Sequence, residues 1–202
     1  MFYSFVRELF RLVTFLFNGK VHVQNKEKLP QGENYLLVAP HRTLWDALYL
    51  ALAARPKKFA FMAKKELFTK PFIGFFLRHG NAFAVDREKP GLSSIKTAVS
   101  ILKETDLSLM IFPSGALHSQ DIKGGATLIA KKAKVNIVPA VYQGPLTFKG
   151  LLLRRPVTVR FGEIITVSDN LDKSKRTMIE QKIQKSFQEL DEAIDPTFVD
   201  KK

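Results

Sequence analysis

A histidine and an aspartate stand five positions apart in "PHRTLWD", residues 40 to 46, directly after the apolar run "NYLLVA". A neutral imidazole can accept a proton, and a carboxylate beside its other ring nitrogen orients it and stabilises the imidazolium that forms. His41 and Asp46 are therefore candidates for a general base and its partner. Positions three and four apart share a helix face, whereas positions five apart do not. The pairing thus requires an irregular turn after Pro40, or an aspartate that reaches back along it. A helix-start histidine satisfied by a local carboxylate gives the same pattern without catalysis, and the pair alone does not separate the two.

Other apolar runs end in polar groups as well. After "NAFAV" comes Asp86-Arg87-Glu88-Lys89, in which Arg87 offers a two-pronged anion-binding group. After "LSLMIF" comes "PSGALHS", a tight turn with Gly115, its backbone amides and the hydroxyls of Ser114 and Ser119. After "VNIV" come Pro139 and then the bend "YQGP". Each has a plain reading taken singly: a surface ion pair, a turn and a strand terminator.

The elements that must position these groups follow from periodicity. "NYLLVAP" (34 to 40), "KFAFMA" (58 to 63), "NAFAV" (81 to 85), "LSLMIFP" (107 to 113), "VNIVPAVY" (135 to 142) and "VTVRFGEIITV" (157 to 167) read as strands. Helical patterns fall between them, near 44 to 54, 66 to 78, 92 to 105 and 125 to 134. The chain closes on "KSKRTMIEQKIQKSFQELDEAI", whose apolar stripe of Met178, Ile179, Ile183, Phe187, Leu190 and Ile194 predicts packing on the domain. Alternation of strand and helix predicts an α/β fold: a mixed, largely parallel sheet flanked by helices, with the last strand free to break the pattern. Ligands in such folds bind where strands end, which is where His41 lies.

With 202 residues, 46% of them hydrophobic, the chain has material for one packed domain, here 20–202 behind an N-terminal helix, 1–19. Absence of cysteine excludes disulfides, thiolate metal sites and a cysteine nucleophile. The histidines beyond His41 lack ligand spacing, so no metal is expected. Lys and Arg number 32 against 19 Asp and Glu, a formal charge of +13, which points to anionic partners. In "MFYSFVRELFRLVTFLFNGK" the polar residues Ser4, Arg7, Glu8, Arg11, Thr14 and Asn18 recur every three or four positions among aromatic and aliphatic ones. That is an amphipathic helix shorter than the roughly 20 residues that span a bilayer, expected to lie in the membrane interface. A helix docked on the domain's own core is the competing reading.

In order and spacing, four blocks, "PHRTLWD", "NAFAVDR", "FPSGALHS" and "VNIVPAVYQG", resemble the glycerolipid acyltransferases of the lysophosphatidate acyltransferase type, over residues 20 to about 165. The resemblance implies that His41 takes the proton from a glycerol hydroxyl and Asp46 orients it, without a covalent acyl-enzyme and without Ser114 as nucleophile. It implies further that Arg87 grips the acceptor phosphate, Ser114 and Gly115 shape the acceptor site, and Val138 with Pro139 forms the acyl-donor side. Pro40 stands where the family has asparagine, Ser114 where it has glutamate and Leu117 where it has arginine. Lys64, Lys65, Lys123 or Arg42 is then expected to supply the cation lost from the third block. No cofactor is expected beyond the co-substrate, an acyl-coenzyme A or acyl carrier protein thioester. The expected partners are a lysophospholipid, foremost 1-acylglycerol-3-phosphate, and an anionic membrane surface, with the protein peripheral or monotopic on the cytoplasmic face. Another lysolipid acceptor, or a non-catalytic lipid-binding or nucleic-acid-binding protein, is the alternative. Nucleic acid is not expected, because the aromatics concentrate in the first helix and the apolar strands rather than among the basic residues.

Overall fold

The computed structural model describes residues 2–86, 91–114, 124–153 and 155–198. Its elements run α1 (Phe2–Asn18), β1 (His22–Gln24), β2 (Leu36–Val38), α2 (Asp46–Ala53), β3 (Lys58–Lys64), α3 (Pro71–His79) and β4 (Ala82–Val85). They continue with α4 (Leu92–Glu104), β5 (Leu107–Ile111), α5 (Gly125–Ala133), β6 (Ile137–Gln143), α6 (Phe148–Leu152), β7 (Thr158–Phe161) and α7 (Lys173–Glu192). The strands form one sheet in the order β1-β7-β6-β2-β5-β3-β4.

From β6 to β4 every neighbouring pair is parallel, whereas β7 pairs antiparallel with β6, and β1 parallel with β7. The carboxyl ends of β2, β3, β4, β5 and β6 therefore share one edge of the sheet. Strand β2 sits in its middle, with Leu36, Leu37 and Val38 fully buried. Its side chains alternate between two cores. Leu37 and Ala39 join Tyr49, Leu50, Phe59 and Tyr142 on the α2 face, while Leu36 and Val38 join Ala98, Ile129 and Ile183 on the face of α4, α5 and α7.

Two predicted elements are broken, each for a local reason. The helix expected over 66–78 is a 3₁₀ turn, Lys65–Thr69, followed by α3, because Pro71 at the first helical position starts a new helix rather than continuing the old one. The strand expected over 157–167 stops at Phe161 and touches the sheet again only at Ile165, which bridges Ile137. Opposite the gap lies Pro139, which has no N–H to donate. Its carbonyl still accepts from Gly162 N at 2.8 Å, where a Cβ on Gly162 would meet the Pro139 ring at 2.9 Å. Strand β1 and the short helix α6, both unmarked by periodicity, are additional.

Helix α1 docks on the domain through much of its polar stripe. Arg7 donates to the Lys57 carbonyl at 2.8 Å, and Glu8 pairs with Arg55 at 3.1 Å. Buried Asn18 donates to the carbonyls of Leu151 and Arg155 and accepts from the Tyr49 hydroxyl at 3.0 Å. Burial pushes the Tyr49 phenol up to about 12, so it remains a donor. Phe10 packs edge-on against the same ring. The opposite side of α1 is apolar and open: Phe5 is 66% exposed, and Leu9, Leu12, Phe15 and Leu16 are also exposed. A surface helix ordinarily turns its apolar stripe inward; this one leaves much of it out. No helix among the described residues is long and apolar enough to cross a membrane.

Candidate active site

The turn 40–46 is irregular, as the five-residue spacing requires. Its centre is the Asp46 carboxylate, 0% exposed at the first position of α2. Oδ2 accepts from the backbone N–H of Arg42 at 2.6 Å and of Thr43 at 2.8 Å, and Oδ1 accepts from the Thr43 hydroxyl at 2.5 Å. The carboxylate thus reaches back over its own turn, much as an acidic residue does in a capping box. His41 Nδ1 lies 3.4 Å from Oδ2. The buried carboxylate is otherwise satisfied by three donors, which supply the charge-assisted bonds a desolvated anion needs.

The imidazole is held from its flat side too. Phe112, just past β5, stacks on it with ring centroids 4.2 Å apart and planes 17° from parallel. With Nδ1 turned to Asp46, Nε2 is directed away from the dyad. Trp45 then pins the start of α2 to the end of β6, donating to the Pro145 carbonyl at 2.9 Å and to the Tyr142 hydroxyl at 3.2 Å. Burial raises the Tyr142 phenol, and it donates in turn to Pro145 O at 3.1 Å.

His41 lines two cavities. One, of about 1050 Å³, is mainly apolar and runs among α1, α2, β3 and α3, past Phe10, Leu48, Phe61 and Phe76. The other, of about 350 Å³, has a more polar, mixed lining that includes Arg42, Ser114 and, from α7, Gln184, Phe187, Gln188 and Asp191. The imidazole therefore stands at the boundary between a greasy space and a more polar one. A group there can take a proton from a molecule that is apolar at one end and hydrophilic at the other.

Of the site residues named from sequence, His41 and Asp46 meet directly, Ser114 is buried in the polar chamber, and Lys64 lies at the rim of the apolar one, 3.8 Å from Glu66. Lys65 instead pairs with Asp86 at 2.5 Å. Arg87, Gly115 and Lys123 lie outside the described residues, as do Leu117 and His118. Val138 and Pro139 line neither cavity. Both are buried within β6, opposite Leu37 and Val38 of β2. Arg42 is not placed as a free phosphate cation, since a carboxylate of α7 already takes both arms of its guanidinium. Phe112 was missed from sequence, although it immediately precedes the Pro-Ser-Gly turn.

A profile of the Acyltransferase family matches residues 20–143. The chain belongs to the acyltransferase family. A 1-acyl-sn-glycerol-3-phosphate acyltransferase of Streptococcus pneumoniae (strain ATCC BAA-255 / R6) is 49% identical over 205 residues, spanning 100% of this chain and 78% of that protein. One from Bacillus subtilis (strain 168) is 40% identical over 169 residues, 83% of this chain and 84% of the relative. The crystal structure of a 1-acyl-sn-glycerophosphate acyltransferase from Thermotoga maritima superposes with a TM-score of 0.70 at 22% identity, over 94% of this chain and 79% of that one. It supports the acyltransferase fold.

Proposed function

We propose that this acyltransferase moves a fatty acyl group from an acyl thioester to the free hydroxyl of 1-acylglycerol-3-phosphate, giving phosphatidic acid. The observation that carries the reading is the place of His41, held by buried Asp46 and facing both an apolar and a polar cavity. Nε2 accepts the acceptor's hydroxyl proton while the oxygen adds to the thioester carbonyl. The tetrahedral intermediate collapses with cleavage of the C–S bond, and the imidazolium returns the proton to the departing thiolate. Asp46 stabilises that imidazolium across Nδ1. The acyl chains occupy the large cavity, and the polar chamber takes hydrophilic parts of the reactants.

The same reading places the enzyme on a membrane surface. Phe5, Leu12 and Phe15 of α1 and Phe72, Phe75 and Phe76 of α3 are exposed, and Phe2 joins the two helices by packing on Phe75 and Phe76. Phe72, at 82% exposure, and Leu44, at 78%, also border the apolar cavity, so a chain can enter it from a bilayer without crossing water. The net charge of +13 favours an anionic, cytoplasmic leaflet.

Purified protein assayed with acyl-coenzyme A and with acyl carrier protein thioester, each against a panel of lysolipids, tests the proposal. Transfer to 1-acylglycerol-3-phosphate is expected. Preference for a lysolipid without phosphate, or no transfer at all, overturns the assignment.

A further inference from the structure

One wall of the polar chamber comes from outside the family's matched segment: the end of α7 and the turn that follows it. Asp191, on the last turn of α7, accepts from both arms of Arg42, from Nη1 at Oδ1 over 3.0 Å and from Nη2 at Oδ2. Arg42 Nη1 also donates to the Tyr142 carbonyl on β6 at 2.8 Å. Gln143 holds Asp191 from the other side, donating to its carbonyl at 2.9 Å and to Oδ1 at 3.0 Å, and the Phe198 ring lies 4.8 Å from the guanidinium carbon. The Arg42 side chain is 4% exposed and that of Asp191 15%, so the fork-on-fork pair is desolvated and its geometry fixed.

A buried ion pair is a poor device for stability alone, since an apolar pair of similar volume often serves as well. This pair is distinguished by its location. Arg42 follows His41 in the chain, and its backbone N–H is the nearest donor to Asp46 Oδ2, the oxygen that faces His41, at 2.6 Å. Anchoring the Arg42 side chain fixes the peptide that carries this N–H. That in turn sets where Asp46 stands relative to His41. At 3.4 Å the contact between Nδ1 and Oδ2 is near the outer limit of a hydrogen bond, so a shift of a few tenths of an ångström decides whether it forms.

We propose that Asp191 is a positioning residue for the His41–Asp46 dyad, acting through Arg42 from the far end of the chain. The inference rests on reading that dyad as the base of acyl transfer. Helix α7 is thereby part of the catalytic apparatus as well as a cover for the sheet.

The test uses the full chain with acyl-coenzyme A and 1-acylglycerol-3-phosphate in mixed micelles. Asp191→Asn removes the charge at constant size, and kcat is expected to fall roughly tenfold to a hundredfold while both KM values stay within about twofold. Asp191→Glu restores part of the loss. The double variant Arg42→Met/Asp191→Leu replaces the ion pair with apolar contacts; it should keep the thermal midpoint and still show the low kcat. It carries the test alone if Asp191→Asn does not fold. Glu189→Gln, which neutralises an exposed carboxylate on the same helix, serves as control and should match the unmodified enzyme. Unchanged kcat in Asp191→Asn, full activity in the double variant, or a loss confined to KM overturns the positioning role. His41→Ala separates the two readings. An active His41→Ala overturns the dyad and the inference together, whereas an inactive one beside a normal Asp191→Asn overturns the inference alone.

Discussion

The two flanks of His41 are built on opposite terms. Toward α1, α2 and α3 the surroundings are a large apolar cavity whose rim leaves phenylalanines in the open, Phe72 above all. Toward α7 the lining is more polar, and Arg42 is buried there and paired with the largely buried Asp191. One flank has apolar surface without a cover, and the other has a largely buried ion pair. The acceptor proposed above would account for both, its chains leaving water on the first side and its headgroup meeting polar groups on the second. The imidazole belongs to neither flank: Asp46 supports it from the start of α2 and Phe112 from just past β5.

The most severe way to break this comparison is to remove the group at its centre. His41→Ala should lower kcat by about a thousandfold or more with the thermal midpoint nearly unchanged, because a partly exposed side chain is lost and the core is not; steady-state kinetics beside a melting curve check it. Asp46→Asn should lower kcat by roughly a hundredfold and also cost about 1 to 3 kcal/mol of stability, because an amide cannot accept every bond from Arg42 N, Thr43 N and the Thr43 hydroxyl. Denaturant titration alongside the assay separates those two effects.

Smaller changes sharpen the apolar side. Ile95 lines the large cavity, so Ile95→Trp should move donor preference toward shorter chains, with kcat/KM for a long-chain thioester down roughly tenfold. A loss equal for all chain lengths would place the acyl chain elsewhere. On the outer surface, Phe5→Ser with Phe15→Ser should reduce partitioning onto anionic vesicles at least tenfold, since each exposed ring that enters the interface contributes on the order of 1.5 kcal/mol or more. These point variants leave the docked face of α1 intact. Deleting the helix would not, because Asn18 and Phe10 tie it to Tyr49.

The smallest effect is expected at that tie. Tyr49→Phe should cost about 1 kcal/mol at neutral pH through the lost bond to Asn18. Burial raises the folded phenol from 10.0 to about 12, so the stability it contributes is complete below pH 10 and is lost as pH rises toward 12. The alkaline fall in stability should accordingly be shallower in Tyr49→Phe.

Much of this was legible in the chain itself, for physical reasons. Apolar runs of strand length located β2 to β6, and the spacing of His41 and Asp46 required the irregular turn that the Asp46 carboxylate organises. Where the pattern misled, a partner strand or a proline intervened. Pro139 silenced one donor, and the strand expected over 157–167 broke opposite it. Helix α1 carried an unmistakable stripe, yet the sequence alone left open which side of it met the domain, because Arg7 and Asn18 find their acceptors on Lys57 and Leu151, far along the chain.

By itself, then, the sequence determined the local matters: the strands that end in chemistry, the turn that folds Asp46 back, the excess of cation and the grease of the first helix. All of these depend on near neighbours or on composition. The tertiary structure alone decided that β2 lies between β5 and β6, so that Phe112 stacks on His41, and that the end of α7 returns to Arg42. Residues separated by 149 positions have no shared periodicity to reveal their meeting. Only the assembly of the sheet and the packing of α7 against it bring the Asp191 carboxylate to the guanidinium beside His41.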